Sequence, residues 1–279
     1  MKRKKIRENY VDEFVIQLCN EEKSLATIKK YERDVKNFQK FIGHRSLNKE
    51  AAIKYKIYIA QMYAPASVNS MIASLNSFFR FAGFNECCLK YIKIQKKIFE
   101  EDGKTLSYDD YRRLLKIAGD RQIGAIIKTL CGTGIRVSEL KYITVEAVRD
   151  GKAVVECKNK KRMILIPPYM QNFLTFYIKK NSIEYGAVFV SRNGNPMDRT
   201  NIWKKMKELC TEAGVNPEKV FPHNFRHLFA RTFYSIDGDI VRLADVLGHS
   251  NINTTRIYTM ESGKEHLDML EKLQKILAT

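Results

Sequence analysis

Apolar side chains recur at three- and four-residue steps in the first hundred residues, which predicts a small bundle of helices. One such segment covers residues 25–42, with Ser24 placed to cap its start and Gly43 after its end. A second covers residues 65–82 and begins with a proline at its first position. Two shorter segments predict further helices, at Tyr10–Cys19 and Lys49–Gln61.

The pattern after residue 104 predicts mainly helices and a small antiparallel sheet. Ser107 precedes an acidic turn, as is typical of a helix start. The two strand-like segments Ala153–Cys157 and Arg162–Ile166 flank a basic turn, Lys158–Lys161, and Val188–Val190 leads into an Asn193-Gly194 turn. The predicted helices are Tyr108–Ala118, Gly124–Cys131, Val137–Tyr142, Met170–Lys179, Thr200–Ala213, His223–Tyr234, Ile240–Leu247 and Asn253–Tyr258.

A length of 279 residues indicates two domains. The boundary is expected in the polar, weakly periodic stretch 90–104. We therefore predict a helical domain at residues 1–92, a basic linker at 93–104 and a second domain at 105–279. The linker lysines suit a path over a phosphate backbone, although ordinary linker polarity explains them nearly as well.

The charge distribution indicates a polyanionic partner. The chain has 49 Lys+Arg against 31 Asp+Glu, a net charge of +18, and residues 1–100 hold 20 of the basic and 10 of the acidic side chains. Since both parts are basic, a groove or clamp is favoured over a basic tail. The alternative is a membrane surface, but no apolar run approaches the ~20 residues of a spanning helix and no signal peptide is evident. We expect a cytosolic protein that binds no membrane.

The cysteines indicate neither a metal site nor a disulfide framework. None of the six forms a C-x-x-C pair, so reduced thiols are expected. His223 and His227 have the spacing of a zinc pair, but no glutamate follows His223 as an H-E-x-x-H motif requires. We expect no metal and no cofactor.

Five side chains in the second half have the chemistry needed to cleave a phosphodiester without metal: Arg136, His223, Arg226, His249 and Tyr258. A phosphodiester resists attack because its non-bridging oxygens are already negative, and arginines stabilise the added charge by bidentate hydrogen bonds. His223 and Arg226 lie three residues apart, so one helix face presents both. A tyrosine hydroxyl is a nucleophile that forms covalent intermediates.

In order and spacing, this set closely resembles the active site of the tyrosine recombinases, the phage integrase family. The resemblance rests on Gly134–Leu140, Pro222–His227, Leu247–Ser250 and Tyr258. It implies an N-terminal core-binding domain and a C-terminal catalytic domain. It further implies that Tyr258 forms a 3′-phosphotyrosyl bond to double-stranded DNA and releases a 5′-hydroxyl, with His249 as a second phosphate ligand.

The resemblance also implies a general-acid lysine on a β-hairpin. Lys158 is the preferred residue, and Lys160 and Lys161 remain open because the turn lacks the Gly-Lys-Gly pattern common in the family. Glu139 is placed to support the site, or else is an exposed helix carboxylate. His227 is expected to pack or to support the catalytic groups.

A phosphate-tracking surface is expected on the first domain and linker. For each residue alone a solvated face is the simpler interpretation, so the hypothesis applies to the set. The candidates are Lys29, Lys30, Arg33, Lys36, Arg80, Lys96 and Lys97.

The C-terminal tail carries leucines at helical spacing after Ser262. This apolar face is buried either on its own domain or, as the resemblance implies, on a neighbouring subunit, which suits a tetramer on paired inverted half-sites. The function expected is site-specific recombination, in integration or excision of a mobile element or in DNA resolution. The alternatives are a relaxing enzyme like the type IB topoisomerases and a non-catalytic DNA-binding relative.

Overall fold

The computed structural model describes the chain as two compact units, residues 1–96 and 97–279. The residues whose structure is described are 9–43, 46–94, 105–157, 160–249, 251–258 and 271, without the side chains of 157, 160 and 161. No helix within these ranges is long and apolar enough to cross a membrane.

The first unit is a bundle of four helices, as the apolar periodicity predicts. They are α1 (Tyr10–Asn20), α2 (Leu25–Ile42), α3 (Lys49–Met62) and α4 (Pro65–Phe81). Ser24 accepts a hydrogen bond from the Thr27 backbone N–H, and proline occupies the first turn of α4. Phe38 and Phe79 are fully buried and pack edge-on with ring centroids 5.4 Å apart, so aromatic contacts hold the bundle together.

A buried carboxylate joins α2 to α4. Asp34 is 2% exposed, and Lys30 Nζ donates to its Oδ2 at 2.7 Å. The same ammonium donates to the Ser70 carbonyl and to Ser74 Oγ on α4, at 3.0 and 2.9 Å. Lys30, which was predicted to contact phosphate, therefore pairs with Asp34 within the first unit. The buried carboxylate of Asp34 requires such a partner.

Lys30→Ala is expected to destabilise the first unit by about 1–3 kcal/mol, because the buried Asp34 loses one charged hydrogen bond and keeps only those from Arg33 and Ser74 among the described residues. Lys29→Ala is the control, because Lys29 is exposed on the same helix. Hydrogen exchange of α2 and α4 in the full chain measures the effect. Equal exchange rates in the two variants would contradict the structural role of Lys30.

The second unit contains α5 (Tyr108–Ala118), α6 (Gln122–Thr133), α7 (Val145–Asp150), α8 (Pro168–Lys180), α9 (Arg199–Ala213), α10 (Pro222–Asp237), α11 (Ile240–Leu247) and α12 (Ile252–Arg256). The mainly helical class with a small antiparallel sheet is confirmed. Helix α6 lies in the core, with Ile126, Ile127 and Leu130 fully buried, and packs against α10. Helix α6 precedes Arg136, and helix α10 contains His223 and Arg226. Because the two helices pack together, the same apolar core holds both in place.

Three details differ from the prediction. Val137–Tyr142 is a 3₁₀ helix, since Thr144 already caps the next helix, α7, which the pattern did not predict. Val188–Val190 forms only isolated bridges, because its partner Pro196 has no N–H to continue a ladder.

The hairpin consists of β1 (Lys152–Cys157) and β2 (Lys160–Leu165), with Cys157 paired to Lys160 and Val155 to Arg162. The prediction of a Lys158–Lys161 turn was wrong, because pairing continues to Lys160 and only two residues connect the strands. Two-residue connections match the twist of antiparallel strands, which favours the tighter hairpin. Lys158 itself lies outside the described residues.

Candidate active site

Helix α10 supplies an almost inaccessible arginine. Arg226 is 1% exposed, and its guanidinium donates to the carbonyls of Gly134 and Leu247 and contacts His249 Nε2 at 2.9 Å. Burial lowers the pKa of Arg226 to about 10, and the nearby Arg136 acts in the same direction. The group stays cationic at neutral pH, and its three partners fix the plane of the fork.

Arg136 follows the sharp end of α6. Gly134 has φ +63°, and a Cβ there would overlap the ring of Phe229, so the turn requires glycine. The Arg136 side chain is 43% exposed and pairs with Glu139 Oε1 at 2.9 Å. Of the two predicted arginines, Arg226 is therefore buried and Arg136 faces solvent.

Glu139 is buried and binds two arginines. Its Oε2 accepts from the Arg136 backbone N–H at 2.9 Å and from Arg162 Nη2 at 2.6 Å. Glu139 is therefore not an exposed helix carboxylate, and it joins Arg136 to Arg162. Arg162 was not predicted as a functional residue. The alternation of the strand could have indicated its position. Arg162 lies two and four residues before the buried Ile164 and Ile166, so its side chain is on the same, inward face.

His249 begins the segment after α11. Gly248 has φ +64°, which allows the chain to turn directly after the helix. His249 Nδ1 lies 3.0 Å from Thr255 Oγ1, while Arg226 donates to Nε2. Burial, together with the charges of the neighbouring arginines, lowers the pKa of His249 to about 4. The ring is therefore neutral at pH 7, with its proton on Nδ1.

Tyr258 is enclosed by histidines. It is 5% exposed and packs with Ala230, Leu243 and Leu247. Its ring centroid lies 5.6 Å from that of His223, 4.3 Å from that of His227 and 5.7 Å from that of His249, the last nearly parallel at 15°. Tyr258 lies close enough to Arg226 to favour the charged form of the guanidinium. Five of the six predicted catalytic side chains thus lie close together, and the sixth, Lys158, lies outside the described residues.

The pKa values of the remaining histidines of α10 are also lowered. Burial, followed by the charges of Arg226 and Arg136, lowers the pKa of His223. Burial lowers the pKa of His227 to about 4, with His223 as the next cause. The buried Nδ1 of His227 has no hydrogen-bond partner among the described residues. His227 packs edge-on to Tyr258, consistent with the expected packing or supporting role.

An open pocket of about 400 Å³ lies over this site, lined by Arg136, His223, His249 and Tyr258 among others. Arg136 is the arginine that lines the pocket among the described residues, and Arg226 contacts it through His249. Glu139 pairs with Arg136 and Arg162. Within the described ranges, no group of three His, Cys, Asp or Glu side chains could hold a metal ion. The exposed guanidinium of Arg136 suits the pocket to an anion such as a phosphate group.

The predicted DNA-contacting residues differ in their surroundings. Lys29 and Arg80 are exposed. Arg33 pairs with Asp34 at 3.2 Å and Lys36 with Glu32 at 2.6 Å, yet both remain more than half exposed. Lys96 and Lys97 lie outside the described residues, as does the tail from residue 259, apart from Glu271.

The chain belongs to the phage integrase family. The model of that family matches residues 104–265, and the phage integrase N-terminal SAM-like domain matches residues 11–83. Tyrosine recombinase XerA of Thermococcus kodakarensis is 28% identical over 96% of this chain and 95% of its own. Tyrosine recombinase XerD of Lacticaseibacillus casei is 30% identical over 73% of this chain and 75% of its own.

Solved structures share the fold. A lambda integrase dimer bound to a core site matches with a TM-score of 0.75 at 16% identity, over 92% of this chain and 96% of that one. The Tn1549 transposon integrase in complex with transposon right end DNA matches with a TM-score of 0.73 at 18% identity, over 97% and 99%. The recognised resemblance is confirmed, and the protein is a tyrosine site-specific recombinase.

Proposed function

We propose that this protein cleaves and rejoins double-stranded DNA through a covalent bond between Tyr258 and a 3′-phosphate. The observation that supports it best is the enclosure of the Tyr258 ring by His223, His227 and His249, beside the guanidinium of Arg226. Arg136, His223 and His249 line the same pocket as Tyr258, which the chance burial of one tyrosine would not explain.

In the proposed step, Tyr258 Oη attacks phosphorus while the bond from phosphorus to the 5′-oxygen breaks. Arg136 and Arg226 bind the non-bridging oxygens and stabilise the charge that develops on them. The phenol loses its proton and the leaving oxygen gains one. Rejoining is the reverse, with a 5′-hydroxyl of the partner strand as nucleophile. The phosphotyrosyl ester conserves the energy of the broken phosphodiester bond, so rejoining consumes no nucleoside triphosphate.

The role of His249 changes with occupancy. Without DNA, its Nε2 accepts a hydrogen bond from Arg226 and so holds that guanidinium in place. A bound phosphate is negative and raises the pKa of a nearby imidazole. Proton uptake then turns Nε2 into a donor toward phosphate, which fits the role that the family resemblance implies.

A suicide substrate tests the function. A recognition site nicked close to the scissile phosphate loses its short 5′-hydroxyl fragment after cleavage, so the ester accumulates. The protein should become covalently attached to DNA in buffer containing EDTA. A reaction that depends on a divalent ion and leaves no ester would indicate a nuclease instead.

Lys158→Ala is expected to slow cleavage of a normal 5′-oxygen leaving group far more than that of a 5′-thiol analogue. Sulfur leaves without needing a proton, so a missing general acid matters less. Single-turnover rates on the two substrates measure the difference, and the same substitution at Lys160 and Lys161 is the matched comparison. If the 5′-thiol substrate restores cleavage in none of the three lysine variants, the hairpin does not supply the proton.

We further propose that four subunits assemble on two DNA duplexes carrying paired inverted half-sites, joined through the C-terminal tail. The leucine spacing after Ser262 supports an amphipathic tail helix, and the DNA-bound lambda integrase dimer is a structural relative. The choice between integration of a mobile element and DNA resolution is readable from the DNA that flanks the gene, where an inserted element would favour the former.

Deletion of residues 264–279 is expected to preserve binding to a single half-site and to lose cooperative assembly on paired sites, because the donated helix is absent. Band-shift titrations on one and two half-sites measure both effects. Leu270→Asp, a point change within the tail, provides a comparison that retains its length. Full assembly by the truncated chain would contradict the role of the tail.

A further inference from the structure

Arg162 is a largely covered arginine on the hairpin with no role in the proposed chemistry. Its side chain is 16% exposed, and burial lowers its pKa. Its Nε is buried without a hydrogen-bond partner among the described residues. Burying a guanidinium incompletely paired is costly, so stability alone is a poor explanation for its presence.

The contacts of Arg162 join three elements of the site. Its Nη2 donates to Glu139 Oε2 at 2.6 Å, and Glu139 in turn holds Arg136. Its Nη1 donates to the carbonyl of Leu247, which also accepts from Arg226 at 2.7 Å. One guanidinium on β2 therefore touches the support of Arg136 and the end of α11, just before His249.

The turn before His249 is shaped around this side chain. A Cβ on Gly248 would overlap the Arg162 guanidinium, and φ at Gly248 is +64°. Glycine therefore allows the backbone to approach the arginine closely. The contact fixes where the chain leaves α11 and enters the segment that carries His249.

We propose that Arg162 is a positioning residue that holds Arg136 and the Gly248-His249 turn in the geometry that binds the scissile phosphate. This inference rests on the proposed function. The Glu139 carboxylate pairs with both Arg162 and Arg136. Its one negative charge is divided between two guanidinium groups, so it orients Arg136 without fully neutralising the positive charge of Arg136. A single Arg136–Glu139 pair would hold Arg136 more tightly to the carboxylate and weaken its attraction for phosphate.

The test compares Arg162→Gln and Arg162→Lys with Arg113→Lys. Arg113 is a matched control, since it also pairs with a buried carboxylate, that of Asp110, and donates to a backbone carbonyl, that of Gly214. Cleavage by Arg162→Gln should fall about 10- to 100-fold, the range typical when a side chain that orients a site group is lost. Arg162→Lys should recover little because one ammonium cannot reproduce the two-armed contact. Arg113→Lys should cleave like wild type.

Two readouts separate positioning from a general loss of structure. The defect should persist with a 5′-thiol leaving group, because Arg162 acts through the phosphate ligands and not through the general acid. Arg162→Gln combined with Glu139→Gln should lose less than the product of the two single effects, as residues acting through one contact do. Three results would each overturn the inference. They are a wild-type cleavage rate in Arg162→Lys, recovery of Arg162→Gln cleavage with the 5′-thiol substrate, and a double-variant loss equal to the product of the two single losses. Failure of the wild-type protein to form an ester would instead reject the proposed function.

Discussion

Tyr258→Phe is expected to abolish covalent capture of DNA and to leave DNA binding almost unchanged. The substitution removes one hydroxyl and keeps the ring that packs between the histidines and Leu243. Without the nucleophilic oxygen no ester forms, while the basic surface is intact. Covalent product on a suicide substrate and binding by band shift are the two measurements.

Tyr234→Phe provides the matched control. Tyr234 packs against the same apolar cluster as Tyr258 but makes none of the ring contacts with the three histidines that Tyr258 makes. It should form the ester at the wild-type rate. Loss of cleavage in both variants, or in neither, would remove the support for Tyr258 as the nucleophile.

Arg226→Ala is expected to slow cleavage by at least the equivalent of about 2.7–4 kcal/mol, the effect of removing one hydrogen-bond donor from an oxyanion site. Arg226→Lys should restore little, because the native guanidinium reaches Gly134, Leu247 and His249 at once. An ammonium lacks that planar arrangement of donors. Single-turnover cleavage rates provide the comparison.

Buried carbonyls left without a donor could also loosen the fold, so DNA binding is measured for each Arg226 variant as a check on folding. Arg231→Lys, an exposed position on the same helix, is the control and should retain the wild-type rate. Cleavage by Arg226→Lys within about threefold of wild type would contradict the bidentate account, since threefold is less than 1 kcal/mol.

Local patterns predicted most of the helices. Ser24, Gly43 and Ser107 mark helix ends in the structure, and each acts through hydrogen bonds with residues close in the chain. The short helix α7 was missed, although Thr144 caps it by accepting from the Ala147 backbone N–H at 3.1 Å. A helix of six residues gives too few positions for apolar periodicity to be visible.

The contacts between distant residues could not be predicted. Arg162 and Leu247 are 85 residues apart, and Lys30 reaches an α4 serine 44 residues away. Sequence spacing alone does not specify such pairs, because they depend on how helices and strands pack. The consequence is largest for the arginines, since the sequence identified Arg136 and Arg226 but did not show that Arg162 shares the Glu139 carboxylate with Arg136.

The most direct test of the central claim is to locate the bond between protein and DNA. After capture on a suicide substrate and nuclease trimming, trypsin should release the peptide Ile257–Lys264, in which Tyr258 is the single tyrosine. The account predicts that fragmentation of this peptide by mass spectrometry places the nucleotide phosphate on Tyr258. A phosphate attached to any other residue, or a cleaved site with unmodified Ile257–Lys264, would contradict it.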